Sequence, residues 1–420
     1  MTERVLWLNV SLEETIMPVH RDGGPKAVED LINVLIARAA YIRQIKAPEG
    51  SDPTASLENL EDFDRLHPTY CWHDSSPLRV VDRQAGHHAA VPPLVRSIIS
   101  SSTSSHMPQS IRFIGYPPSD SVSCFDVLGE ANSKKFTSEG PGRIYRNFLE
   151  DLMQLIEWPS DVPRTQGLTL EESQRHYHLI LPSFLNLLSF LSAETRNFVM
   201  FLRSLGPNIE AAARALDIFS WGKHPMHVNV NLHLLSKSRR YSDHISWKFE
   251  HAGEGASAPV VLKSCSEQGI ELDTPEKIYQ LLHRASGMGM VEDIEHWDRN
   301  KCHFAAGKKL LFTKDDKKVH PVIFDANHLP PQRHAKGEKL SEQSSIAILY
   351  REKTTDKFQT LRYLDMLALE NMLFVKVDVL QARLLGRACN DILKLRMNRR
   401  CWIPSTLSSA SSSATATSCD

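Results

Sequence analysis

A short apolar run that ends in an acid most constrains what this chain can fold into. Val322 to Phe324 follows Pro321 and stops at Asp325. Buried parallel strands read as continuous apolar runs, so this stretch predicts a central strand with a carboxylate at its carboxyl end. Ligands of open α/β sheets bind outside that end of the strands. Asp325 is therefore the first candidate for a functional site.

Two other apolar runs, at residues 4–8 and 197–202, have a similar outline. Each leads into polar residues, namely Asn9, Ser11, Arg203 and Ser204. The carboxyl ends of parallel strands lie at one edge of a sheet. We therefore expect the three strand ends to meet at one place.

The bulk composition excludes several classes of protein. The chain has 420 residues, of which 41% are hydrophobic, enough for one elaborated domain or two. Its 49 basic and 50 acidic residues create no overall field that would favour nucleic acid or an anionic membrane. No apolar run reaches the length of a transmembrane helix, and the N-terminus lacks the apolar segment of a signal peptide. We expect an intracellular, cytoplasmic protein that binds neither nucleic acid nor membrane.

Cysteine and histidine residues are numerous but show no metal-binding spacing. The seven cysteines include no Cys-x-x-Cys pair, which favours reduced thiols over a disulfide framework. The 19 histidines include neither His-x-x-x-His nor His-Glu-x-x-His. The sequence therefore does not predict a histidine metal site.

Strands and helices alternate along the chain. Predicted strands cover 4–10, 197–204, 308–312, 322–324, 346–350 and 373–377. Predicted helices begin near Lys26, cover 144–156 and 183–191, begin again at Pro207 and Pro275, and cover 379 to about 397. Residues 222–260 are expected to form loops and short strands. This alternation predicts an α/β fold with a mostly parallel sheet.

Several blocks resemble the haloacid-dehalogenase (HAD) superfamily, in particular an uncharacterised branch from single-celled eukaryotes. The main blocks are Asn9–Thr15, Gly23–Lys26, Phe201–Gly206, Gly222–Pro225 and His320–Asn327. Smaller ones are Glu292–Asp293, His296–Trp297, Gly307–Lys308 and Phe374–Asp378. Together they cover about 4–40 and 180–395, in the family's order. The resemblance implies a Rossmann-like three-layer sandwich.

The resemblance also implies a chemistry. In active members an aspartate at the end of the first strand attacks phosphorus, and a second aspartate two residues later acts as acid and base. A Ser/Thr and a lysine hold the phosphoryl oxygens, and acids at the fourth strand position Mg²⁺. The matching positions here are Asn9 and Ser11 for catalysis, Ser204, Arg203 and Lys308 (or Lys309) for phosphate, and Asp325 for the metal.

The chain departs from this pattern at its catalytic positions. Asn9 is a neutral amide and a poor nucleophile, and Ser11 has no group that titrates near neutral pH. Ala326 replaces the second metal-binding acid. Glu13 or Glu14 would replace a missing acid if the first strand ran further. With Asp325 alone, at most weak Mg²⁺ binding is expected.

The resemblance suggests a domain organisation. Residues 1–40 and 180–397 form a discontinuous HAD-like core, and 41–179 form a large, irregular cap-like insertion. Poor periodicity over 47–140 predicts mobile loops there. Residues 220–300 would be a second insertion within the core, and the Ser/Thr/Ala tail at 405–420 is expected to be disordered.

Three functional hypotheses follow. The first is a pseudoenzyme that has lost phosphatase chemistry and binds an unknown protein or a small phosphorylated ligand. The second is a weak or altered Mg²⁺-dependent phosphohydrolase of HAD type. The third is a structural or scaffold role, which a cleft filled by the protein's own side chains would favour.

Overall fold

A computed structural model describes most of the chain, with gaps. The described residues are 4–20, 27–45, 70–78, 92, 94–95, 113–114, 121–138, 140–194, 197–227, 245–265, 269–313, 316–326, 342–351, 357–367, 369, 373–377 and 379–381. Most of 47–140, the predicted helix beyond residue 381 and the tail at 405–420 lie outside them.

The described strands are numbered in chain order. They are β1 Val5–Ser11, β2 Tyr41–Gln44, β3 Tyr70–Trp72, β4 Leu94–Val95, β5 Phe113–Ile114, β6 Ser121–Ser123, β7 Thr169–Glu172, β8 Arg175–His178, β9 Phe198–Ser204, β10 Ile245–His251, β11 Val260–Ser264, β12 Glu271–Leu272, β13 Met288–Val291, β14 Lys308–Thr313, β15 Val319–Asp325, β16 Ile346–Arg351, β17 Gln359–Thr360 and β18 Phe374–Lys376.

Eight α-helices are described. They are α1 Val28–Ala39, α2 Cys124–Ser133, α3 Arg146–Ile156, α4 Pro182–Ala193, α5 Ile209–Ser220, α6 Pro275–Arg284, α7 Ile294–Arg299 and α8 Tyr363–Leu367. Short 3-10 segments occur at Gly140–Tyr145, Phe304–Ala306 and Val379–Gln381. None of the helices in the described part of the chain is long and apolar enough to cross a membrane.

An eight-stranded, mostly parallel sheet forms the centre of this mixed α/β fold. Its order is β12-β11-β10-β13-β9-β1-β15-β18. Six neighbouring strands of this sheet run parallel to one another, namely β10, β13, β9, β1, β15 and β18. Strands β9, β13, β10, β11 and β12 lie on one side of β1, with β13 inserted between β9 and β10, whereas β15 and β18 lie on the other side. The side on which strands are added changes between β1 and β15, which is where open α/β sheets bind ligands.

Apolar side chains cover both faces of this sheet. On one face, Leu6, Leu8 and Val10 pack with residues of α1, α4 and α5. On the other face, Trp7 and Phe201 pack with residues of α6. The burial of β1 on both faces explains why it reads as a continuous apolar run.

The two segments suggested as insertions have different relations to the main sheet. Residues 220–300 supply β10, β11, β12 and β13 to the sheet itself. The described residues of 41–179 form small two- and three-stranded sheets and helices, and most of their buried apolar residues belong to the same apolar cluster as β1. A separate three-stranded sheet, β14-β16-β17, lies beside β15 and packs through Leu310 and Ile348 against α8.

Most of the predicted strands and helices are present, including the short strands predicted at 308–312, 346–350 and 373–377. The strands predicted at 4–10 and 197–204 and the helices predicted at 183–191 and from Pro275 are present with boundaries shifted by a few residues. The prediction of loops and short strands over 222–260 was wrong for β10, a seven-residue strand of the main sheet. β10 alternates apolar and polar residues at 247–250, a weaker signal than a continuous apolar run.

Candidate functional site

A buried charge pair lies where β1 and β15 meet. Asp325 is the last residue of β15, and Lys308, the first residue of β14, places its Nζ 2.5 Å from Asp325 Oδ2. Ser11 at the end of β1 donates to the same oxygen and accepts from Lys308 at 2.8 Å. Ser345 donates to Asp325 Oδ1 at 2.6 Å. Burial would raise the pKa of Asp325, but Lys308 and the hydroxyl donors hold it below its ordinary value.

This set of side chains does not suit Mg²⁺. Mg²⁺ requires oxygen ligands in a near-octahedral arrangement. Here the carboxylate of Asp325 already accepts hydrogen bonds on both oxygens, and the Lys308 ammonium supplies the positive charge next to it. Ala326 and Asn9 contribute no further carboxylate. The chemistry available at Asp325 is therefore that of an internal ion pair.

Arg203 forms a second buried cluster one strand away. It is the last residue but one of β9 and donates through Nε to the carboxylate of Glu292, which follows β13. Its Nη1 donates to Asn9 Oδ1 at 3.3 Å and to the Lys309 carbonyl at 3.1 Å. The guanidinium also lies 5.0 Å from the centre of the Phe249 ring. The amide of Asn9 thus helps to hold Arg203.

Glu13 fills the position expected to receive a phosphate. Ser204 donates to Glu13 Oε1 at 2.6 Å, and the Leu205 N–H donates to Oε2 at 3.0 Å. Asn208, which precedes α5, also donates to Oε1 at 3.3 Å. Such a group of donors before a helix favours an anion. In this protein the anion is the chain's own carboxylate.

Glu14 points to a different partner. Its Oε2 accepts from Arg38 Nη1 at 2.9 Å, and its backbone has a positive φ of 57°. The first strand ends at Ser11, so neither glutamate extends it. Only Glu13 reaches the cluster that Ser204 belongs to.

The predicted site residues all lie at the carboxyl edge of the sheet, and all are buried. Relative exposure is at most 4% for each of Asn9, Ser11, Arg203, Ser204, Lys308 and Asp325. The strand register brings Ser11 level with Asp325, one position beyond the Val10–Phe324 pair. The three strand ends therefore meet, as expected. The charged side chains there are already paired, Asp325 with Lys308 and Arg203 with Glu292.

A histidine cluster lies further along the same edge, at the ends of β10 and β13. His251 ends β10, Asp293 follows β13 and caps α7, and His296 lies in the first turn of α7. The two imidazole rings stack with centroids 3.7 Å apart and planes inclined by 5°. Asp293 Oδ2 lies 3.2 Å from His251 Nδ1, and Asp293 Oδ1 accepts from the His296 N–H at 3.0 Å.

Sequence reasoning gave no role to Glu292, Ser345 or the histidine cluster. Glu292, Asp293 and His296 were noted only as parts of a resemblance. The one local signal was the Asp-x-x-His spacing, typical of a capping acid before a short helix. His251 lies 42 residues from Asp293 in the chain, so only the pairing of β10 with β13 brings them together.

The fold and the site define a mixed α/β protein with a mostly parallel sheet and four polar clusters at its carboxyl edge. Comparisons with protein-family models, with curated proteins and with solved structures found no match.

Proposed function

We propose that the protein is a HAD-like pseudoenzyme that acts by binding a partner and does not hydrolyse phosphate. The proposal rests mainly on one observation: the protein's own side chains lie where the resemblance implies a Mg²⁺ ion and a phosphoryl group. Lys308 neutralises Asp325, where the resemblance implies Mg²⁺, and Glu13 occupies Ser204, where it implies a phosphoryl group. In HAD chemistry an anionic aspartate approaches an anionic phosphoryl group. This requires cations and fixed hydrogen-bond donors that are free to neutralise the two charges. Here those donors are already used.

The missing acids support the same proposal. Asn9 is held by Arg203, so its amide has a structural role in place of a nucleophile. Ser11 donates to Asp325 and accepts from Lys308, so its hydroxyl is committed as well. A small phosphorylated ligand would have to displace Glu13 from three donors. We therefore favour a protein partner over such a ligand.

The test is hydrolysis of an aryl phosphate by the full chain, with and without Mg²⁺. The wild type is expected to turn over no faster than buffer, and addition of Mg²⁺ is expected to leave its thermal melting unchanged. The matched variants are Asp325→Asn and the double variant Asn9→Asp/Ser11→Asp, each checked for folding by circular dichroism.

A Mg²⁺-dependent turnover of the wild type that disappears in Asp325→Asn would overturn the proposal. It would instead favour the alternative, a weak or altered phosphohydrolase in which Glu13 leaves Ser204 and replaces the missing acid. Turnover gained only by the double variant would show that the scaffold still accepts the chemistry when the acids are restored.

A further inference from the structure

The cluster of His251, Asp293 and His296 has the donors and spacing of a metal site. Each residue offers one ligand atom, and these atoms all lie within 4.8 Å of one another. The three residues lie on different elements: His251 at the end of β10, Asp293 in the loop after β13 and His296 in the first turn of α7. β10 and β13 pair in parallel, so the main sheet itself positions the cluster.

The His251 ring faces Asp293 through its Nδ1 nitrogen. Nδ1 lies 3.2 Å from Asp293 Oδ2, a separation at which one metal ion can have both atoms as ligands in place of the hydrogen bond between them. The His251 side chain is 4% exposed.

The competing explanation of this cluster is structural: the two histidine rings stack on each other, and Asp293 caps a helix. Asp293 caps α7, and parallel rings direct their in-plane lone pairs side by side, so one imidazole must tilt for both to reach one ion. The nearby Lys309 ammonium, which donates to the Ala305 carbonyl, opposes a cation. The charge of Asp293 is therefore the critical contribution to affinity for a metal.

We propose that His251, Asp293 and His296 bind one divalent transition-metal ion of the zinc class. Imidazole nitrogen with a single carboxylate suits Zn²⁺, Co²⁺ or Ni²⁺, whereas Mg²⁺ prefers oxygen ligands alone. Three protein ligands leave a coordination position for water or another ligand. This site is separate from the Lys308–Asp325 pair and does not depend on the proposed pseudoenzyme function.

The experiment uses the full chain, stripped with a chelator and titrated with Zn²⁺ against a chromogenic competitor, with bound metal counted after dialysis. Co²⁺ replaces Zn²⁺ in a parallel titration, because its visible absorption reports nitrogen and oxygen coordination. The wild type is expected to retain one Zn²⁺ per chain and to show the Co²⁺ bands. A wild type that retains no Zn²⁺ and shows no Co²⁺ bands overturns the proposal.

The variants separate a metal ligand from a packing residue. Asp293→Asn keeps an acceptor for the His296 N–H but removes the charge, and is expected to weaken Zn²⁺ binding at least about tenfold. His296→Phe keeps a ring on His251 but removes the nitrogens, and is expected to abolish the Co²⁺ bands. The control His303→Ala changes a half-exposed histidine paired with Glu342 and is expected to bind as the wild type does.

Binding that is equally tight in Asp293→Asn, His296→Phe and the wild type would place the metal elsewhere and overturn the proposal. If His296→Phe fails to fold, Asp293→Asn decides alone, because asparagine caps a helix as well as aspartate does.

Discussion

Lys308 Nζ lies 2.5 Å from Asp325 Oδ2, and both side chains are at least 95% buried. A lone carboxylate at this depth would be unfavourable, and the ammonium compensates for it. The pair links the small sheet β14-β16-β17 to the end of β15 in the main sheet. It therefore ties the small sheet to the main sheet at the edge where a ligand would otherwise bind.

Replacing Lys308 is expected to destabilise the protein strongly. Lys308→Met leaves Asp325 buried without its cation, so the free energy of unfolding should fall by about 3–5 kcal/mol. Urea denaturation measures this change. The matched double variant, Lys308→Met/Asp325→Asn, removes both charges and should recover a large part of the loss. A Lys308→Met protein as stable as the wild type would show that the pair contributes little.

Removing Glu13 is expected to expose an anion site. Glu13→Ala leaves Ser204 and the Leu205 N–H without their acceptor, at a cost of about 1–3 kcal/mol. The same donors should then bind inorganic phosphate in the millimolar range, because they precede α5. Isothermal titration with phosphate checks this.

The matched control for that experiment is Glu13→Gln, which fills the same space without the charge. Neither it nor the wild type is expected to bind phosphate in that range. Phosphate binding by the wild type as tight as by Glu13→Ala would mean that Glu13 does not block the donors.

Stability is expected to fall between neutral and mildly acidic pH because of buried histidines. Burial, with His227 nearby, lowers the pKa of His178 from 6.5 to about 4, and that of His224 likewise to about 4. The unfolded chain therefore binds protons that the folded chain does not, in the window from 6.5 down to about 4. The stability is fully present above that window and is lost as the pH falls through it.

For His178 alone, the free energy of unfolding should fall by roughly 2 kcal/mol from pH 7 to pH 5. Urea denaturation at the two pH values measures the change. His178→Phe keeps a ring against Trp158, whose centroid lies 4.8 Å away, and should show a smaller pH dependence than the wild type. An identical pH dependence in both proteins would contradict the assigned burial effect.

Gly307 is expected to tolerate no larger side chain. A Cβ at this position would lie 2.6 Å from the Ser345 carbonyl carbon and 2.7 Å from its oxygen. Gly307→Ala should therefore push Ser345 away from Asp325 and cost about 1–3 kcal/mol.

A double-mutant cycle with Ser345→Ala checks whether Gly307→Ala acts by displacing Ser345 from Asp325. If Gly307 acts through Ser345, the two changes should destabilise less together than the sum of their separate effects. Strict additivity would mean that the strain from Gly307→Ala is relieved elsewhere.

The strands that the sequence predicted are those that read as continuous apolar runs, including the three-residue β18. β1, β9 and β15 are buried on both faces and read as apolar runs, and their polar ends identified the edge where the candidate residues meet. β13 has only four residues, three of them apolar and interrupted by Gly289, and carries too little pattern to be recognised. Without β13 and β10 in the sheet, the cluster of His251, Asp293 and His296 could not be predicted, and histidine spacing argued against it.

The sequence by itself determined which residue types stand at the strand ends: an amide at 9, a hydroxyl at 11 and an alanine at 326, with a single acid at 325. Under the proposed HAD likeness, these positions lack the acids of the active family members. Only the tertiary structure decided that Lys308 neutralises Asp325 and that Glu13 takes the donors of Ser204. The physical reason is that the energy of a charge pair depends on separation and burial, and residues 17 and 191 positions apart acquire both only when the sheet forms.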